Sequence, residues 1–228
     1  MSAVRILTAL LLGLAVSLDC AADPFAVRLG ADQLVLDVPG GFTDTLNLGS
    51  PRLQDFAESV NVPSNRVLLF ALTDADLRRF TLGDKIEVRR FVMVATPRAL
   101  EQQRVSAPQF ADYVKESLDA LGKPVKPANL AAYLESQPIG KRSLLAELRR
   151  ETAVVSVVQA LRLPPIPGQK FYESDKPQYL VYTSTLLHVR GRVLQVSLFS
   201  LTETATDVEW LGGATRLWAD ELLQLNAR

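Results

Sequence analysis

Cysteine and histidine are almost missing from this sequence: Cys20 and His188 are the single copies of each. A structural or catalytic zinc site needs several thiolate and imidazole ligands at set spacing, so that chemistry is excluded. A serine triad would have to rest on His188 alone, and no Gly-x-Ser-x-Gly elbow accompanies it. His188 stands between Leu187 and Val189 in a strand-like run, the setting of a histidine satisfied by packing.

Phosphate-cradling glycine patterns are missing too. Neither Gly-x-Gly-x-x-Gly nor Gly-x-x-x-x-Gly-Lys-Ser/Thr occurs, which removes the common nucleotide sites. Gly40-Gly41 reads as a turn. Gly212-Gly213 falls in a helical pattern, where it is expected to let a terminal helix approach a sheet closely, at some cost in helix propensity.

Charge of one sign is not in excess. Lys+Arg and Asp+Glu are 25 each, so the basic surplus that neutralises phosphates in a nucleic-acid binder is lacking. Asp74, Asp76 and Asp84 begin like a calcium loop, but the sixth and twelfth positions counted from Asp74 are Arg79 and Lys85, where Gly and Glu are needed. Helix capping is the better reading of those aspartates. The sequence points to no metal and no cofactor.

What is present begins at the N-terminus. Arg5 precedes Ile6 to Leu18, an apolar run of 13 residues, too short for a membrane span of about 20. With Cys20-Ala21-Ala22 behind it, it reads as a signal peptide over 1–22, cleaved after Ala22. Asp19 beside Cys20 departs from a lipoprotein box, so lipidation is the minor reading. The body, 23–228, is expected to be one domain, periplasmic or secreted. With 48% apolar and 22% charged residues, it can bury a core.

The elements follow from periodicity. Gln33 to Val38 reads as a first strand, stopped by Pro39-Gly40-Gly41. Leu53, Phe56, Ala57 and Val60 mark a helix face after Ser50-Pro51. Arg66 to Thr73 is apolar on both faces, as a central strand would be, and Glu87 to Ala95 is another strand. Ser106 and Gln109 form a capping box for a helix with Phe110, Tyr113, Val114, Leu118 and Leu121 on one face. A long connection over 123–142 carries a short helix at Asn129 to Glu135. Ser143 to Leu148 is expected to be a short strand turning at Arg149-Arg150-Glu151, and Thr152 to Leu163, rich in β-branched residues, to be its neighbour.

The last third is the clearest. Gln178 to Arg190 alternates with Tyr179, Val181, Thr183, Thr185, Leu187 and Val189 on one face. Gly191 marks a tight hairpin, and Val193 to Leu201 returns. Thr206 and Glu209 suggest a capped final helix. Its apolar stripe is Trp210, Leu211, Ala214, Leu217, Trp218, Leu222 and Leu225. Hairpins outnumber crossovers, which predicts an α+β fold with a mainly antiparallel sheet and helices packed on both faces.

The stretch Val189-Arg190-Gly191-Arg192-Val193-Leu194, followed by Asp207, Trp210 and Trp218, resembles the end of small exported bacterial members of the PsbP-like superfamily. The resemblance covers about the last 50 residues well, and the rest in element order. It implies an α/β/α sandwich and a binding or assembly role; no functional residue is carried over from it.

Two surfaces stand out as candidates. Phe171, Tyr172 and Tyr179 flank the Pro-rich loop after Leu163 and form a candidate interaction surface. Arg78-Arg79, Arg89-Arg90 and Arg149-Arg150 are basic doublets that either converge on an anion or solvate edges. The leading expectation is an exported, non-enzymatic binding or assembly protein of the bacterial envelope with a protein partner, for which membrane contact is not required. Two rivals stand beside it: a periplasmic hydrolase using carboxylates, and a membrane-tethered structural protein.

Overall fold

The computed structural model describes residues 23–83, 88–164, 178–201 and 205–227. The signal-peptide reading, Cys20 and Asp84 lie outside these residues.

Nine strands and five α-helices occur among the described residues. Strands β1 (Phe25–Leu29) and β2 (Asp32–Leu36) pair antiparallel as a separate hairpin. The main sheet contains β3 (Phe42–Asp44), β4 (Asn65–Thr73), β5 (Arg90–Pro97), β6 (Ser143–Glu151), β7 (Val154–Arg162), β8 (Tyr179–Val189) and β9 (Arg192–Leu201). Their spatial order is β3-β4-β5-β9-β8-β7-β6, and every neighbouring pair is antiparallel. The helices are α1 (Pro51–Val60), α2 (Asp74–Thr81), α3 (Ala107–Asp119), α4 (Leu130–Glu135) and α5 (Ala205–Leu225).

Helices pack on both sheet faces, as strands apolar on both sides require. One face carries α5, α4 and the β1–β2 hairpin, with Val94, Val181, Leu187, Leu194 and Trp218 in its core. The other has two separate cores. Phe70, Phe91, Met93 and Phe199 pack with Leu53 and Ala57 of α1 and with flanking residues of α2. Val155, Leu186 and Val193 pack with Phe110 and Val114 of α3.

The β8–β9 hairpin turns in two residues. Arg190 and Gly191 have φ of 52° and 76°, the paired left-handed geometry of a type I′ turn, which suits the twist of the flanking strands. On α5, Leu211, Thr215, Trp218 and Leu222 recur every three to four residues and are buried. Trp218 Nε1–H donates to the Asp37 carbonyl at 2.9 Å. At the helix end, Asn226 Oδ1 accepts from Val35 N–H at 2.8 Å and its Nδ2 donates to Val35 O at 2.7 Å. The side-chain amide thus behaves as one more peptide unit against β2.

The structure departs from the sequence reading in several places. Strand β1 precedes the strand expected to be first. β6 runs on through Arg149, Arg150 and Glu151 and turns only at Thr152-Ala153; two irregularities in its register with β7 take up the extra length. Leu217 is 75% exposed, because it lies a third of a turn away from the Leu211–Trp218–Leu222 row. Helix α5 begins at Ala205, one residue before the start expected at Thr206. A Cβ on Gly212 would meet Leu148 Cδ2 at an ordinary 3.8 Å and one on Gly213 would meet nothing, so the glycine pair does not serve close approach.

Candidate functional site

The face opposite α5 is incompletely covered. Between the end of α1 and α3 lies a partly open cleft of about 460 Å³ whose floor is the sheet itself. Its shape follows from the register. Paired across the strands, Met93, Ser197, Ser184 and Val157 form one transverse row. Phe91, Phe199, Tyr182 and Gln159 form the next, and Ala95, Gln195, Leu186 and Val155 the row on the other side. Two serines at the centre, flanked by larger side chains, leave a trough. Along β8 it reaches from Leu180 to Leu186, roughly 20 Å at strand rise.

One wall is Ser59 to Asn65, apart from Pro63, and the other is Tyr113, Ser117 and Leu118 of α3 with Leu121 just beyond it. Helix α3 is held in place by its first turn, where Gln109 Oε1 accepts from Ser106 N–H and from its hydroxyl, each at 2.8 Å. The opposite wall is tied to the floor by amides. Asn61 Nδ2 donates to Asn65 O at 3.1 Å, Asn65 Nδ2 to Gln195 Oε1 at 3.0 Å, and Gln195 Nε2 to Ser184 Oγ at 3.4 Å. Asn61 Oδ1 is enclosed and accepts no hydrogen bond among the described residues. At the other end, Tyr182 Oη donates to Gln159 Oε1 at 2.9 Å.

The chemistry of the lining is narrow. Among the described residues Arg142 is the single charged one on the lining, and none that borders it is a carboxylate or an imidazole. Burial raises the pKa of both Tyr113 and Tyr182; for Tyr182 the Arg142 charge partly opposes that rise. Both phenols are therefore neutral hydrogen-bonding groups near pH 7. Ser184 and Ser197 have no base beside them. His188 lies under α3 instead, stacked on Phe110 with ring centroids 5.1 Å apart, and its Nε2 sits 2.6 Å from Val105 O. The trough can hold a ligand through hydroxyl, amide and apolar contacts.

The residue that caps α2 is Thr73, not an aspartate, and Asp74 and Asp76 lie in the first turn behind it. Thr73 Oγ1 accepts from Asp76 N–H at 3.2 Å at the start of α2, and Thr43 Oγ1 donates to Asp74 Oδ1 at 2.6 Å. Among the described residues no group of three or more His, Cys, Asp or Glu is placed to hold a metal. The basic doublets do not converge. Arg149 bridges Glu151 and Asp220 at the outer sheet edge and Arg150 pairs with Glu147 beside it, whereas Arg90 pairs with Asp207 at 2.8 Å and lies over the Trp210 ring. Tyr179 opens β8 half-buried against the α5-side core, and burial raises its phenol pKa. Phe171 and Tyr172 lie outside the described residues.

A buried ion cluster has no counterpart in the sequence reading. Asp32 accepts from Arg192 Nε at 2.9 Å and also pairs with Arg104. Arg192, 2% exposed, further donates to the carbonyls of Gln103 and Glu101 at 2.7 and 3.2 Å. A Cβ on Gly30 (φ +54°) would stand 2.7 Å from Arg192 Nη2, so glycine is what lets the hairpin turn pass the guanidinium. These contacts fasten the β1–β2 hairpin to the start of β9. The hydrogen bonds from Arg104 and then Arg192 hold the Asp32 carboxyl below the ordinary aspartate range.

No family model matches the chain, and no curated protein sequence does. Solved structures that overlay on it include the Saccharomyces cerevisiae Ran-binding protein Mog1p, at 15% identity over 90% of this chain and 93% of that one, with a TM-score of 0.33. A Mog1 point mutant overlays at 14% identity, 90% and 94% coverage and the same score. A score of that size carries no argument about role.

Proposed function

We propose that the chain is a non-enzymatic binding or assembly protein of the bacterial envelope, and that its binding site is the trough on the open sheet face. The observation that carries the reading is the lining: a cleft of about 460 Å³ bordered by hydroxyls, amides and apolar side chains, with no acid or imidazole among the described residues. Hydrolysis needs a positioned acid, base or nucleophile–base pair. Among the described residues Asp32, Glu151, Asp207 and Asp220 pair with arginines, and none of them lines the cleft. Half of the trough lining can donate or accept hydrogen bonds along a floor roughly 20 Å long. That mixture suits an extended polypeptide segment, whose backbone needs partners along its length, better than a compact apolar ligand.

The envelope location is supported by Arg5 and the apolar run Ile6 to Leu18, and the PsbP-like assignment by the sequence around the β8–β9 hairpin and α5. A photocrosslinking residue placed in cells at Ser184, on the floor, is expected to trap a discrete partner. The same residue at Leu217, on the exposed side of α5, is expected to trap none. Identical adducts at both positions, or none at Ser184, would refute the site. Unprocessed protein dissolved in the cytosol would refute the location.

A further inference from the structure

Resting on the trough as the binding site, we infer that the segment it takes carries a carboxylate, and that Arg142 at the Tyr182–Gln159 end receives it. Arg142 is the single charge on the lining among the described residues. Among the described residues it pairs with no carboxylate, whereas Arg66, Arg90, Arg104, Arg149, Arg150 and Arg192 all do. Exposed next to the start of β6, Arg142 is not needed by the core. It precedes Ser143, which pairs with Ala160 beside Gln159, so it borders the trough at this end, where the Tyr182 phenol feels its charge.

The neighbouring polar groups add to the positive character of that end. Tyr182 donates its proton to Gln159 Oε1, which commits the amide oxygen and leaves the Gln159 Nε2 protons without a partner among the described residues. Guanidinium and amide thus offer N–H groups to one ligand anion, with no acidic side chain among the described residues of the lining to compete. An acidic residue or a free C-terminus of an extended peptide supplies that anion. The remaining trough, over Ser184 and Ser197 towards Gln195, then accommodates the adjoining backbone.

The test is affinity selection of a random octapeptide library, made with free and with amidated C-termini, on the purified protein. The wild type should enrich peptides bearing Asp, Glu or a free C-terminal carboxylate by about fivefold, the yield of one partly exposed charge pair. R142K should keep the preference in part. R142E should reverse it towards Lys and Arg at an unchanged melting temperature. Wild-type enrichment blind to charge, or an R142E profile equal to wild type, overturns the anchor while the trough reading stands. Ser184→Trp fills the floor; equal recovery of the same peptides by that variant would sink the trough reading itself. Displacement of the selected peptides by palmitate at equal concentration would overturn the choice of a peptide over an acyl chain.

Discussion

Trp218→Ala should be among the most damaging single changes in this protein. The indole is 1% exposed, packs between the sheet and the β1–β2 hairpin, and donates to the Asp37 carbonyl at 2.9 Å. Truncating a buried Trp to alanine costs about 3–5 kcal/mol through lost transfer energy and the cavity left behind. Orphaning the carbonyl adds about 1 kcal/mol. The sum of about 4–6 kcal/mol is a large share of the total for an ordinary domain. At about 2–4 °C per kcal/mol for a chain of this size, the melting temperature should fall by roughly 8–24 °C. Denaturant unfolding followed by far-UV circular dichroism is the proper assay, since the substitution itself alters indole fluorescence. Trp218→Phe keeps most of the ring and should cost about 1–2 kcal/mol, mainly the hydrogen bond and a small void. Leu217→Ala, one residue away but 75% exposed, should stay within about 0.5 kcal/mol. The reasoning fails if Trp218→Ala costs less than about 2 kcal/mol, or if Leu217→Ala matches it.

Asp32 titrates below the usual aspartate range in the folded chain, so its contribution to stability is present above about pH 4 and disappears as pH falls through the lowered value. The midpoint of the wild type should therefore drop more steeply than that of Asp32→Asn below pH 4, and the variant should be the weaker of the two at pH 7; parallel pH profiles would argue against it. Asp37 is displaced the other way, upward through burial, with the charge of Asp23 adding to the rise and the Val38 N–H opposing it. Its ionised form opposes folding, so Asp37→Asn should raise the melting temperature at pH 7 and leave it unchanged at pH 3, where the carboxyl is already protonated. Asn226→Ala removes both partners of Val35 and should cost about 1–3 kcal/mol by denaturant unfolding, with fraying of β2 visible by hydrogen exchange.

The parts legible in the sequence were those with a strong local period. The β8–β9 hairpin and α5 announce themselves through alternation and through the Leu211–Trp218–Leu222 spacing, and the capping contact at Ser106 and Gln109 is formed as the motif predicts. β1 is five residues long, with two of its positions exposed, and sits directly behind the apolar N-terminal run, so its alternation is too brief to stand out. Arg192 reads locally as a turn flank. Its partner Asp32 is 160 residues away, and no local pattern joins them. The trough was half within reach. With a two-residue turn, five steps back from Val189 and five forward from Arg192 land on Ser184 and Ser197, so that pair follows from the hairpin alone. That β5 and β7 lie on either side of it, and that α1 and α3 stop short of covering it, depends on packing between distant segments.

The pairing of Asn226 with Val35 spans 191 residues. A chain that emerges N-terminus first holds β2 without this clasp until its last helix has been made, and closing so long a loop is entropically dear until the helix is already docked. The hairpin therefore waits for the tail. Such late fastening keeps the leading end loose while the rest of the chain is made, and sets the finished body only once the far end has followed.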